Sequence, residues 1–218
     1  MDIKLREATL HDMASIFQLY AYAYEGTYPD PTFSEVSRLK NAIETKSKFI
    51  FIAEEEGKLI GSILFLYQDN SKLGKAGAAV VLPEYRGQQI TQKLIKFGSD
   101  FIEQTTTGLD VLYVTTRTVH KAAQILTQKI GFRQLGIFPN VHKTKDYETH
   151  ALAAIFHNNS LVKRYTDFKH HPSVLPLYNI VRENIELPEM ELTHDWDKKV
   201  YGGKVPTLEI IKAKEFVK

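Results

Sequence analysis

The sequence predicts a mixed α/β domain whose helices lie on a single sheet, and three observations predict it. Segments of twofold alternation and short apolar runs are interleaved with segments of helical apolar spacing. Their order is strand, two helices, three strands, helix, strand, helix, two strands, a pattern of neither an all-helical nor an all-β chain. The length, 218 residues, is enough to bury a real core in one large domain with an appendage, but short for two full domains. No internal repeat is visible.

Taken in order, Ile3 to Arg6 alternates as a short strand, and Thr9 with Asp12 forms a capping-box pattern that opens a helix. Met13, Ile16, Phe17, Tyr20 and Tyr24 share one face of that helix, which should stop near Gly26. Pro29 and Pro31 break the chain before a second helix at Ser34 to Glu44. Lys48 to Ala53 and Leu59 to Tyr67 read as strands of a hairpin joined across Glu54 to Lys58. Gly77 to Leu82 is a short apolar strand that Pro83 terminates. A helix from Gln88 to Gln104 places Ile90, Leu94, Phe97 and Phe101 on one face. Leu109 to Thr115 reads as a buried strand, and His120 to Ile130 as a helix with Ala123, Leu126 and Ile130 inward and Gly131 as its cap. Phe132 to Phe138 and Glu148 to Phe156 complete the strands. Residues 1–158 form the predicted domain. Residues 159–218 form a C-terminal extension, with a helix at Val174 to Asn184, a loop at Pro188 to Gly203 and a strand at Leu208 to Ala213.

Composition excludes several chemistries. A formal net charge of +2 gives no basic excess for a phosphate-tracking surface, so nucleic acid is not an expected partner. The chain has no cysteine, which removes disulfides, thiolate metal sites and a cysteine nucleophile. His170 and His171 lack a common ligand spacing, so no metal is expected. The polar stretch Met1 to Glu7 does not read as a signal peptide, and no apolar run reaches spanning length. The expectation is therefore a cytoplasmic protein with no membrane partner.

The stretch richest in chemistry runs from Val80 to Thr91. A strand that ends at a proline and passes through a glycine into a helix leaves amides at the helix start without partners. Those donors and the helix dipole suit a phosphate or pyrophosphate. An ordinary strand-to-helix turn with a solvated Arg86 has the same spacing.

Val81-Leu82-Pro83-Glu84-Tyr85-Arg86-Gly87 resembles the strand-to-helix segment of the GCN5-related N-acetyltransferases (GNAT). So do the opening Arg6-Glu7-Ala8-Thr9 with Asp12 and the later Lys129-Ile130-Gly131-Phe132, and the resemblance covers roughly Ile3 to Phe156. It implies a central, mostly antiparallel sheet flanked by helices, whose fourth strand splays away from its neighbour. Free backbone groups at Ala79, Val80 and Val81 would then pair with a pantetheine arm. Amides of Gly87, Gln88, Gln89, Ile90, Thr91 and Gln92, with Arg86 beside them, would hold the pyrophosphate of acetyl-CoA.

The sequence departs from that pattern at Gln89 and Thr91, where the family has small residues. His120 and Thr127 stand where members often carry an asparagine and a proton-donating tyrosine. His120 with Gln124, one turn apart, fits a His-x-x-x-Gln variant that would bind the cofactor arm, and an exposed His120 at a helix start is the plainer reading. Thr115 precedes Arg117 where many members place a glutamate base.

Glu148 and His150 share one face of the last strand and are the replacement catalytic pair, set against a plain polar edge. Val81 N–H is the expected oxyanion donor. By the same resemblance Tyr20, Tyr24, Glu25 and Tyr28, with Tyr22 nearby, wall the acceptor pocket; packing tyrosines are the alternative. The expected activity is acyl transfer from coenzyme A to a primary amine by direct transfer in a ternary complex. The alternative is an acyl-CoA-binding or regulatory module without catalysis. Tyr165, Tyr178 and Trp196 leave open both packing onto the domain and a homodimer contact.

Overall fold

The computed structural model describes residues 2–26, 28–143, 146–164 and 171–189. The expected strand at Leu208 to Ala213, most of the loop before it, and Tyr165, His170 and Trp196 lie outside the described residues.

Seven strands form one sheet in the order β1-β2-β3-β4-β5-β7-β6. They are β1 (Ile3–Glu7), β2 (Phe49–Glu55), β3 (Lys58–Gln68), β4 (Leu73–Val81), β5 (Val111–Arg117), β6 (Arg133–Lys143) and β7 (Tyr147–Phe156). All neighbouring pairs are antiparallel except β4 and β5, which are parallel. The helices are α1 (Met13–Tyr24), α2 (Val36–Thr45), α3 (Ile90–Thr105), α4 (Lys121–Lys129) and α5 (Leu175–Ile185). Among the described residues no helix is long and apolar enough to cross a membrane.

β2 explains why the sheet sits in the middle. Its Phe-Ile-Phe-Ile-Ala run is buried on both faces, as expected for a strand covered on two sides. Phe49 and Phe51 join Phe65, Leu94 and Ile102 under α3. Ile50 and Ile52 join Ile16, Leu39 and Leu64 under α1 and α2. The capping box of Thr9 and Asp12 is present and opens a short 3₁₀ turn ahead of α1. Arg6 reaches both Asp12 oxygens (2.7 and 2.8 Å) and Glu54 (2.7 Å), stitching β1 to that turn and to β2.

Three expectations need correction. The β2–β3 hairpin turns tightly at Glu56 and Gly57, both at positive φ, and not over the wider Glu54 to Lys58 span. β4 begins at Leu73, earlier than Gly77, and this added half is the part that pairs with β5. Ala123 does not face the core: it is exposed, and the one buried residue of α4 is Thr127. The extension beyond residue 158 is partly docked. Asn184 donates to the Gln134 carbonyl (2.9 Å) and Arg133 to that of Asn184 (2.9 Å), fixing α5 on β6.

Candidate functional site

The site is a split in the sheet. β4 pairs with β5 only from Leu73 to Ala76, opposite Val111 to Val114. Beyond that point Thr115 to Arg117 of β5 continue on β7, while Gly77 to Val81 of β4 continue on β3. A bulge opposite Ile63 helps part them, with Ala78 at φ 52°; an extra residue on one strand bends it away from its neighbour. The Tyr20 hydroxyl donates to the Ala78 carbonyl and pins that bulge.

The freed edge presents Val81. Leu82 N–H donates to the Ile60 carbonyl (3.0 Å), so by strand alternation the N–H and C=O of Val81 point into the split. The Arg86 guanidinium lies across the opening and donates to the Val81 carbonyl (3.3 Å).

Next to this edge stands the start of α3. Its first ladder bond runs from Lys93 N–H to the Gln89 carbonyl (2.9 Å), so the amides of Ile90, Thr91 and Gln92 have no helical acceptor. Among the described residues no backbone or side-chain acceptor takes the amides of Gly87, Gln88 or Gln89 either. Gly87 (φ 81°) and Gln89 (φ 61°) are both left-handed, which turns the chain sharply into the helix. Gln89 is exposed and lines a groove on the outer side of α3 beside Lys93 and His157. Its side chain therefore leaves the inner side of the turn open.

Two cavities meet at the split. One, of about 490 Å³, is lined by Ala79, Val80, Val81, Arg86, Thr91 and His120, and by Ala122, Ala123 and Leu126 of α4. The apolar face of α4 is thus spent on this groove. The other, of about 850 Å³, lies over the paired half of β4 and β5 and includes Tyr28, Asp30, Lys75, Tyr113 and His150. Tyr24, Ala79 and Arg117 line both.

Electrostatics at the junction are largely paired off. Arg117 donates to both Glu148 oxygens (2.5 and 2.6 Å), and Glu148 is buried. That bond raises the Arg117 guanidinium further above its ordinary value, against the opposing effect of its burial. Burial alone would raise the Asp30 carboxyl, but bonds from Thr32 and Lys48 outweigh it and hold it below its usual value. Burial raises the Tyr24 hydroxyl, which nearby Arg117 and Arg86 partly oppose.

The expected site residues divide on this map. Ala79, Val80, Val81, Arg86, Thr91 and His120 come together on the smaller cavity, and Tyr24, Tyr28 and His150 on the larger. Tyr20 stands behind the wall, buried and stacked on Phe33, and Glu25 is an exposed helix cap on neither cavity. Gln124 turns inward to donate to the Arg117 carbonyl (3.4 Å), fastening α4 to β5. Glu148 holds Arg117 and does not open onto either cavity. Sequence reasoning missed Asp30, Lys75 and Tyr113. Period-two spacing through Lys75 would have placed it on one face with Gly77, had β4 been started early enough.

Residues 13–132 match the acetyltransferase (GNAT) family model. This chain belongs to the GNAT family.

No curated protein matches it. Solved GNAT structures share its fold at low identity. A ribosomal-protein-S5-alanine acetyltransferase from Vibrio fischeri is 14% identical at a TM-score of 0.62, over 73% of this chain and 95% of its own. The protein yncA of Salmonella typhimurium, solved with its cofactor acetyl-CoA, is 15% identical at 0.61, over 73% and 96%. A spermidine N-acetyltransferase chimera from Vibrio cholerae and hSSAT is 21% identical at 0.62, over 74% and 99%.

Proposed function

We propose that this GNAT protein transfers an acetyl group from acetyl-CoA to a primary amine, with both substrates bound at once. The observation that carries the reading is the Val81 N–H turned into the split, beside the amides of Gly87 to Gln92 that have no partner among the described residues. An extended amide arm needs the first, and a diphosphate needs the second. That one GNAT neighbour was solved with acetyl-CoA supports the choice of donor.

Acetyl-CoA supplies the activated thioester; this chain supplies position and charge. Val81 N–H is aimed into the split and suits the carbonyl oxygen, where one well-placed donor contributes about 3 kcal/mol. The smaller cavity, with His120 and Thr91 on its wall, suits the donor, and the larger suits the amine. In the transfer a C–N bond forms, the C–S bond breaks, the amine gives up a proton and the sulfur takes one. His150 lines the amine side and is the candidate acceptor of that proton. Tyr24 lines both cavities and is the candidate proton donor to the sulfur. Holding the two reactants together gives effective molarities on the order of 10⁵ M or more.

One observation favours a second reading, an acyl-CoA-binding module without turnover. Thr127, where a proton-donating tyrosine often stands in the family, is buried and its hydroxyl donates to the Gln124 carbonyl (3.0 Å). Calorimetric titration with acetyl-CoA and thiol release in the presence of amines separate these readings. Binding with amine-dependent release supports transfer, binding without release supports the module, and no binding overturns both.

A further inference from the structure

We propose that the acceptor is a peptide amine with an acidic side chain a short way along the chain, and that Lys75 selects it. The proposal rests on the acetyl-transfer reading above and concerns the larger cavity alone.

Charge is what singles out Lys75. The charged side chains that line this cavity are Asp30, Lys75 and Arg117, with His150 as a further titratable group. Asp30 is held by Lys48 (3.1 Å) and Thr32, and Arg117 is held by Glu148. Lys75 has no ion pair among the described residues. Its ammonium lies 5.8 Å from the centre of the Tyr113 ring, its register partner on β5. A cation–π contact at a half-open site is weak beside a charge-assisted hydrogen bond to a carboxylate. Among the described residues the cavity therefore offers a positive charge without an ion partner and no carboxylate without one. Such a field repels polyamines and concentrates anions.

Distance along β4 sets the length of the acceptor. The reacting amine must come to the Ala79–Val81 end of the split, and Lys75 sits at the far end of the same strand. With the bulged residue adding little length, Lys75 and Ala79 are separated by about 10 Å at roughly 3.3 Å per strand residue. In a free α-amino acid the carboxylate and amine are only about 3–4 Å apart, too close to serve both ends. An acidic side chain at about the second to fourth residue of a peptide covers the distance, since each extended residue advances roughly 3.3–3.6 Å. The floor between the two ends is Gly77, Ala78 and Ala79, with open space where a Gly77 side chain would stand. A peptide backbone can lie flat there.

The experiment compares peptides with a free N-terminus that differ only in Asp, Asn or Lys at the third residue, alongside spermidine and free amino acids. Thiol release is measured at saturating acetyl-CoA, and peptide affinity for the CoA-bound protein by calorimetry. The expected result is a kcat/KM at least about tenfold higher for the Asp peptide than for the Asn peptide, expressed in KM, with the Lys peptide lowest. Lys75→Met should remove the preference, Lys75→Arg keep it, and Lys75→Glu reverse it toward the Lys peptide. Unchanged acetyl-CoA affinity in these variants shows that they are folded.

The proposal is overturned by equal use of Asp and Asn peptides, by a preference for spermidine or free amino acids, or by a ranking that ignores Lys75. It is also overturned if acetyl-CoA binds and no peptide is turned over. Each of these leaves acetyl-CoA binding intact, whereas a protein that fails to bind acetyl-CoA removes the functional reading as well.

Discussion

At the scale of single residues, Gln89 shows how a backbone requirement outlives the residue type that suits it best. The turn into α3 needs a left-handed residue at this position, and Gln89 adopts φ 61° there with its side chain exposed. A side chain with a Cβ carries a steric cost of roughly 1–2 kcal/mol in this conformation, partly offset because glycine loses more freedom on folding. Gln89→Gly should therefore raise stability by about 0.5–1 kcal/mol, a gain of a few degrees in a thermal melt. No gain in the melt would mean that the turn is not left-handed at this residue. Tyr20 teaches the opposite lesson. Its place among the tyrosines of α1 suggested a pocket wall, yet burial pushes its hydroxyl well above the ordinary tyrosine value and it donates a hydrogen bond to the Ala78 carbonyl. Of the tyrosines that reach the cavities, Tyr24 is the last residue of α1 and Tyr28 lies beyond the left-handed Glu25 that ends the helix, so helical spacing alone does not place them together.

At the scale of elements, α3 sets the width of the site because it is pressed hard onto the sheet. Gly98 faces β2 and β3, and a Cβ there would come within 2.6 Å of the Phe65 ring and 2.8 Å of that of Phe51. Both rings are fully buried and locked edge to face, 5.5 Å apart, so neither can swing aside. Gly98→Ala should cost about 1–3 kcal/mol by overpacking and displace α3 outward. Denaturant unfolding measures the cost, and weakened acetyl-CoA affinity reports the displacement, since the amides of Ile90 to Gln92 ride on that helix. A neutral result would show that the helix is not seated through Gly98. The periodicities of α3 and β2 were legible in the sequence. The closeness of their approach was not, because it depends on which rings stand opposite a glycine.

At the scale of the whole molecule, one charged cluster fastens the edge strand β1 to the turn ahead of α1 and to β2. Arg6 bonds hold the Asp12 carboxyl down at about 2, against the opposing effect of burial. A carboxyl depressed in the folded state stabilises it at pH values above its ordinary titration near 3.8, and that stability is lost as pH falls toward 2. Allowing for solvent screening, about 1 kcal/mol should disappear between pH 4 and 2, and Asp12→Asn should flatten that part of the profile. Denaturant midpoints measured across this range check it, and equal slopes for both proteins would contradict it.

The sequence by itself determined the α/β class, nearly every element and the Pro83 to Gly87 turn. These depend on local spacing and on residue type, which the chain carries without folding. Only the tertiary structure decided where β4 leaves β5, that Glu148 is bound to Arg117, that Gln124 fastens α4, and that Lys75 stands in the larger cavity without an ion partner among the described residues. Each depends on which distant side chain or strand lies opposite. Strand pairing and charge pairing are long-range contacts, and no spacing along the chain records them.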